Sequence, residues 1–297
     1  MASWQSEIKV ISNSLKHILE FSDFSDVTFT FGDPPNRKKI KAHKLILAMR
    51  SDVFQTMFYG YLHEKDREIV ITDIKENIFE FMLKYIYTDE FQLESPGEII
   101  QVYYAAHKYH IPQLMYLCRE KIQSKLSGNN ACEIFQVALL LEDETLINKC
   151  EAIIPRYTKE VLESESFEKL SADALKYLIQ QNKLNVSYES DIYKAILKWA
   201  KYQVSDDAQQ QSIEEEEKEE LLSKNVNTQK ENCEQIRSLM IAFFPYIKFL
   251  SMSLEEFFKL PDLLKVLSKK EIVHVAMNII KSREVPLPSW CSEERKK

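Results

Sequence analysis

SDVTFTFGDPPNRKKIKAHKLILAMRSDVFQTMFYGYLHE, residues Ser25 to Glu64, is the stretch whose reading decides the fold. Val27, Phe29 and Phe31 alternate with Thr28 and Thr30, the period-two pattern of a half-buried strand. Gly32, Asp33, Pro34 and Pro35 break it with turn-forming residues. Ile40 and Ala42 suit a short return strand, and Leu45 to Met49 (LILAM) a compact apolar helix. Ser51 is placed to cap the next helix, its hydroxyl accepting from a backbone N–H that has no partner inside the helix. That helix sets Val53, Phe54, Met57 and Phe58 on one apolar face. Gly60 is expected to end it in the left-handed conformation that residues with a Cβ resist.

Downstream, Arg67 to Ile74 (REIVITDI) reads as a further strand, with Ile69 and Ile71 alternating against Val70 and Thr72. Asn77 to Tyr87 reads as a helix with Ile78, Phe79, Met82, Leu83 and Ile86 facing inward. Pro96 and Gly97 mark a turn, and helices from Glu98 to Tyr109 and from Pro112 to Leu126 finish an α+β unit, Pro112 being suited to a helix start. Upstream, Trp4, Ile8, Ile11, Leu15 and Ile18 step by four, three, four and three, a heptad-like stripe on one short helix. Either the stripe packs onto its own domain or a second subunit covers it, since left open it would be an unusual apolar patch.

SDVTF followed by AHKLILAMRSDVFQTMF resembles the signature of the BTB (POZ) domain, a small α/β interaction module, over roughly Ser22 to Leu126. IVITDI (Ile69 to Ile74), FMLKYIYTDE (Phe81 to Glu90) and AAHKYHIPQLMYLCREKI (Ala105 to Ile122) resemble its third strand, the following helix and its closing helix pair. The resemblance implies a binding platform over residues 1–127. It also implies a homodimer, because a helix at 3–21 packs across a two-fold axis in such proteins, with Trp4, Ile8, Ile11, Leu15 and Ile18 at the interface. Asp26 and Lys44 match positions that form a charged pocket near that interface in related domains; capping and local pairing are the alternative. Leu62-His63-Glu64 matches the hydrophobic-x-Glu pattern by which many BTB domains engage cullin-3, an apolar anchor beside an acid, unless it is simply an exposed helix-end loop. Phe58, Tyr87 and Tyr109 fall near the same face in the family, and each reads equally as ordinary core.

All four glycines (Gly32, Gly60, Gly97, Gly128) lie in the first part of the chain, and the long helical periodicity after them argues for an all-α second domain. Helices are expected from Asn129, from Glu144 to Thr158, from Ser171 to Gln181 and from Glu189 to Gln203. NNACEIFQVALLLEDETLINKCEAII (Asn129 to Ile154), Glu163 to Ala200 and Ile236 to Phe258 resemble the BACK domain, the helical module that commonly follows BTB. Asn185, Val186, Glu189, Tyr193, Ala195 and Trp199 stand where that pattern places such residues. The likeness is to BTB–BACK proteins that continue into a β-rich PHR domain, whereas this sequence stops at Lys297. The expected division is a BACK domain at 128–281 with an acidic insert at 205–235, then a polar tail at 282–297.

The chain's 297 residues, 45% of them apolar, suffice for two domains with real cores. No apolar run approaches the ~18 residues of a membrane helix, and Glu7 and Lys9 sit where a signal peptide's apolar region would be. Five cysteines without a CxxC pair read as reduced thiols inside a cell, in cytoplasm or nucleus. The net charge of −7 is concentrated between Ser205 and Gln235, where ten acidic residues meet three lysines, while the remainder holds 36 of each sign. A neutral platform with one acidic stretch lacks the electrostatic footprint of a nucleic-acid binder. The stretch itself reads as a solvated, partly disordered loop or an acidic docking segment. His107, His110 and Cys118 are the only dense metal-like cluster, and His-x-x-His presents its rings less well than a spacing of four. Without a phosphate loop or a G-x-S-x-G elbow, no catalytic constellation is found and no metal or cofactor is expected. The expected function is a non-catalytic dimeric adaptor that recruits cullin-3 and an unidentified client, its partners supplying the ubiquitin-transfer chemistry. The alternative is a scaffold or transcription-linked protein that dimerises without a cullin.

Overall fold

In a computed structural model that describes residues 4–8, 10–61, 64, 66–180, 184–214, 224–280 and 285–291, β1 (Val27–Phe31) is the middle strand of a three-stranded sheet. It runs antiparallel to β2 (Lys38–Ala42), Phe29 opposite Ile40, and parallel to β3 (Glu68–Ile71), Phe29 opposite Ile69. As the middle strand, β1 is paired along both edges, and its burial shows that its second face is largely covered too. Accordingly Thr30 is as buried as Val27, Phe29 and Phe31, its hydroxyl donating to the Ile69 carbonyl at 3.4 Å. The sequence pattern of one buried face therefore understates how enclosed β1 is. On β3 the alternation does hold, with Ile69 and Ile71 inward and Val70 outward.

The chain divides into two units, Met1–Lys125 and Leu126–Lys297. In the first, α3 (Lys44–Arg50) and α4 (Asp52–Tyr59) meet at Ser51, whose hydroxyl oxygen accepts from the Phe54 N–H at 3.0 Å and whose proton goes to the Tyr109 carbonyl at 2.5 Å. Phe54 and Phe58 face the core from α4, while Val53 stays 37% exposed. Gly60 corrects the expected left-handed stop: it is extended, at φ −72° and ψ 172°. A Cβ built there would lie 2.4 Å from the Thr56 carbonyl oxygen, so close approach of backbone, not handedness, calls for glycine. α5 (Glu76–Thr88) buries Ile78, Phe79, Met82, Leu83 and Ile86, and α6 (Pro96–Lys108) pairs with α7 (Pro112–Lys125), which opens on Pro112.

The N-terminal stripe does not form one helix over 3–21. It is divided between α1 (Trp4–Glu7) and α2 (Ile11–Phe21), with Val10 extended at φ −119° and ψ 131°. Trp4 turns back to stack on His17, ring centres 4.3 Å apart. A straight helix would hold residues 4 and 17 about 20 Å apart along its axis, so this ring contact requires the break.

Every regular element among the described residues of the second unit is a helix. α8 (Ala131–Leu140) and α9 (Glu144–Ile153) form a hairpin whose turn is fixed by Asp143, the carboxylate accepting from the Thr145 and Leu146 N–H groups at 3.1 Å. Next come α10 (Thr158–Glu163), α11 (Glu165–Glu168), α12 (Ala172–Gln180), α13 (Glu189–Glu214) and α14 (Lys224–Ile241). After two 3-10 turns, at Phe244–Tyr246 and Phe249–Ser251, follow α15 (Leu254–Phe258), α16 (Leu263–Val266) and α17 (Lys269–Ile279). Trp199 is fully buried, its indole N–H donating to the Leu170 carbonyl at 2.8 Å.

Two expectations are corrected in this unit. Residues 205–214 continue α13 and 224–235 belong to α14, so the described parts of the acidic insert are helix. Its Ala, Gln, Glu and Lys are strong helix formers, a property that low hydrophobicity alone does not reveal. The expected polar tail is also docked where it is described. The Asn278 amide donates to the Val285 carbonyl at 3.0 Å, Trp290 lies 4.7 Å from Phe244 and 5.4 Å from Phe249, and Cys291 is buried.

Candidate protein-binding face

α4, β3 and the α6–α7 turn frame a shallow groove of about 720 Å³ in the first unit. Val53, Met57 and Val70 give it an apolar lining, and Tyr109 and His110 close one side. His110 takes a left-handed φ of 45°, and its Nδ1 meets the Asp52 carboxylate at 2.8 Å, joining the start of α4 to the turn. Lys108 donates to Asp73 at 2.6 Å, and the Tyr104 hydroxyl donates to the same carboxylate at 3.0 Å. Partial burial works against the Asp73 anion, but these donors outweigh it and hold the carboxyl below its ordinary range. The result is an apolar trough with fixed charges at its rim, the make-up of a docking surface for protein.

The sequence-expected contact residues are not all on this face. Phe58, Tyr87 and Tyr109 are 5%, 2% and 4% exposed, which is the ordinary-core alternative. Phe58 and Tyr109 both stack on Phe54, at 5.8 and 4.4 Å. Tyr87 lies apart from them, with His43, and burial pushes its hydroxyl pKa upward. Glu64 is exposed, its N–H donating to the Met57 carbonyl at 2.7 Å. Leu62 lies outside the described residues.

Of the expected dimer residues, Trp4, Ile8, Leu15 and Ile18 are half-buried and Ile11 is 74% exposed, beside Val10 at 54% and Phe21 at 65%. Asp26 accepts the Lys44 backbone N–H at 2.8 Å, the capping alternative, while the Lys44 ammonium sits 5.4 Å over the Phe58 ring.

Sequence reasoning missed His43. Its Nε2–H donates to the Asp23 carbonyl at 2.6 Å, which leaves Nδ1 to accept the Tyr87 O–H at 2.7 Å, tying the linker after α2 to α5. It also missed Glu271, which gathers Ser268, Arg237 and Trp290; only the Ser268-x-x-Glu271 capping box was there to be read. Cys118, Cys132 and Cys150 are fully buried, and burial pushes each thiol up to about 12. Among the described residues no three metal-type ligands come together, and no helix is long and apolar enough to cross a membrane.

Comparison with known proteins matches the BTB/POZ domain to residues 15–126 and the family described as BTB And C-terminal Kelch to residues 131–213. The chain is 34% identical over 201 residues to BTB/POZ domain-containing protein 6-B of Danio rerio, covering 67% of this chain and 41% of that protein. It is 35% identical over 176 residues to BTB/POZ domain-containing protein 6 of Homo sapiens, 59% of this chain and 32% of that one. With BTB/POZ domain-containing protein 3 of Homo sapiens the figures are 33% over 198 residues, 67% and 38%. The chain thus spans about two fifths or less of the length of these relatives.

Proposed function

Since the chain belongs to the BTB–BACK proteins, a BTB/POZ domain followed by a BACK domain, we propose that it is a non-catalytic dimeric adaptor that recruits cullin-3 and holds a client beside it. BTB domains mediate protein–protein interaction and dimerisation. The observation that carries the cullin reading is the α4–β3 groove, an apolar trough beside Glu64. In this reading the platform spans 1–127 and the helical domain runs from 128 through the docked Trp290 and Cys291. Glu64, and Leu62 with it, make the direct cullin contacts, while Phe58 and Tyr109 support the wall behind them. Trp4, Ile8, Ile11, Leu15 and Ile18 face the second copy, and Asp26 and Lys44 flank them. Ubiquitin transfer is performed by the partners. The reduced thiols fit a cytoplasmic or nuclear setting.

A second reading, a dimeric scaffold without a cullin, is favoured by one finding: Phe58, Tyr87 and Tyr109, three of the five expected direct contacts, are buried. Affinity purification from cell extract separates the two. The adaptor reading expects cullin-3 to co-purify, and Leu62→Ala with Glu64→Ala to weaken it by about 1–4 kcal/mol. Cullin-3 absent from the wild-type eluate, with other partners present, leaves the scaffold.

A further inference from the structure

In the second unit, α10, residues 185–188 and the start of α13 enclose a cleft of about 580 Å³. Thr158 fixes its base, the hydroxyl donating to the Ile154 carbonyl at 3.1 Å and accepting the Asn185 N–H at 3.0 Å. Leu162, Val186 and Ala195 provide apolar lining, and Tyr188 stands beside them 63% exposed. The charged groups divide into two kinds. Lys194 is paired with Asp191 at 3.2 Å, and Lys198 with Glu168 at 2.5 Å. Lys159 and Glu163, both on α10, have no ion-pair or hydrogen-bond partner for their side chains among the described residues. Among its described residues the cleft therefore presents one free cation and one free anion, a helical turn apart on the same wall.

The spacing suits an extended chain. Helix positions four apart hold their Cβ atoms about 5–6 Å from each other, and alternate residues of a strand lie about 6.6–6.8 Å apart on one face. An extended segment laid along α10 can thus put a carboxylate on Lys159 and a basic side chain on Glu163 two residues away. The side chain between them points the opposite way, toward the wall where Val186 and Tyr188 offer apolar surface.

We propose that this cleft grips an extended segment of a client protein in which an aliphatic residue stands between an acidic and a basic one. The source of the segment rests on the adaptor reading above; the recognition chemistry does not. It is tested on the full chain with fluorescein-labelled octapeptides centred on Asp-Leu-Lys, Gln-Leu-Gln and Lys-Leu-Lys. Binding of Asp-Leu-Lys at least tenfold tighter than Gln-Leu-Gln is expected. Lys159→Glu, an exposed change, should lose that preference and favour Lys-Leu-Lys, while Tyr188→Ala weakens the wild-type preference without altering the fold. Equal binding of the three peptides, binding of none, or no exchange of preference in Lys159→Glu overturns the proposal. Cullin-3 capture by the same Lys159→Glu protein reports on the adaptor reading separately, because that variant leaves the α4–β3 groove untouched.

Discussion

Glu271 accepts the Ser268 N–H and hydroxyl, each at 2.7 Å, Arg237 at 3.0 Å and the Trp290 indole at 2.9 Å. Burial opposes its charge, yet these donors together bring the carboxyl down to about 2. The unfolded value is about 4.3, so the folded pKa is depressed. The resulting stability is present above the unfolded pKa and is lost as pH falls toward the folded one. Glu271→Gln should lower the melting temperature at neutral pH and flatten its decline between about pH 5 and pH 3. Thermal melts of both proteins across that range check it, and parallel curves would count against the network. The sequence displays the capping box, but Arg237 and Trp290 lie 34 and 19 residues away, and local pattern carries no record of such contacts. Gly60 shows a different limit: its place after α4 is readable, its cause is not. Gly60→Ala forces a methyl group against the Thr56 carbonyl and should cost about 1–3 kcal/mol, seen as a lower denaturant midpoint at unchanged slope.

Among the elements, the N-terminal arm divides what periodicity can and cannot tell. Its four-three spacing picks out Trp4, Ile8, Leu15 and Ile18, all half-buried, but period alone does not place the break between α1 and α2 that accompanies the Trp4–His17 ring contact. The strands behave similarly: β1 and β3 are readable from alternation, whereas the burial of Thr30 on the second face of β1 depends on tertiary packing that alternation does not record. Apolar surface at Val10, Ile11 and Phe21 is what a second copy would cover. Ile11, 74% exposed, contributes little to the fold of one chain, so Ile11→Asp should leave the melting curve of the monomer nearly unchanged. It should raise the dimer dissociation constant at least tenfold through an unpaired charge in an apolar interface. Sedimentation over a concentration series reads this directly. A dimer as tight as wild type would remove the arm from the interface.

For the whole molecule, the two-unit plan and the all-helical second unit are legible from family motifs and from the confinement of glycine to the first part of the chain. What sequence polarity misjudged is where the second unit's packing ends. VPLPSWC reads as a tail because prolines and flanking charges outweigh one aromatic in any average, yet that aromatic does the docking. Phe244 and Phe249 are fully buried, and Trp290 lies against both. Trp290→Ala therefore uncovers an aromatic surface and also takes a donor from Glu271. Trp290 is itself half-buried, so the cost falls at the lower end of the ~3–5 kcal/mol typical of such truncations. Deleting the chain after Ile280 should do at least as much, because the Asn278–Val285 bond is lost as well. Both changes leave the first unit's core intact. In thermal melts of the full chain, the unfolding of the second unit should move to lower temperature, accompanied by binding of a hydrophobic dye. If the first unit's transition moves instead, or neither does, the C-terminal segment is not part of the helical core.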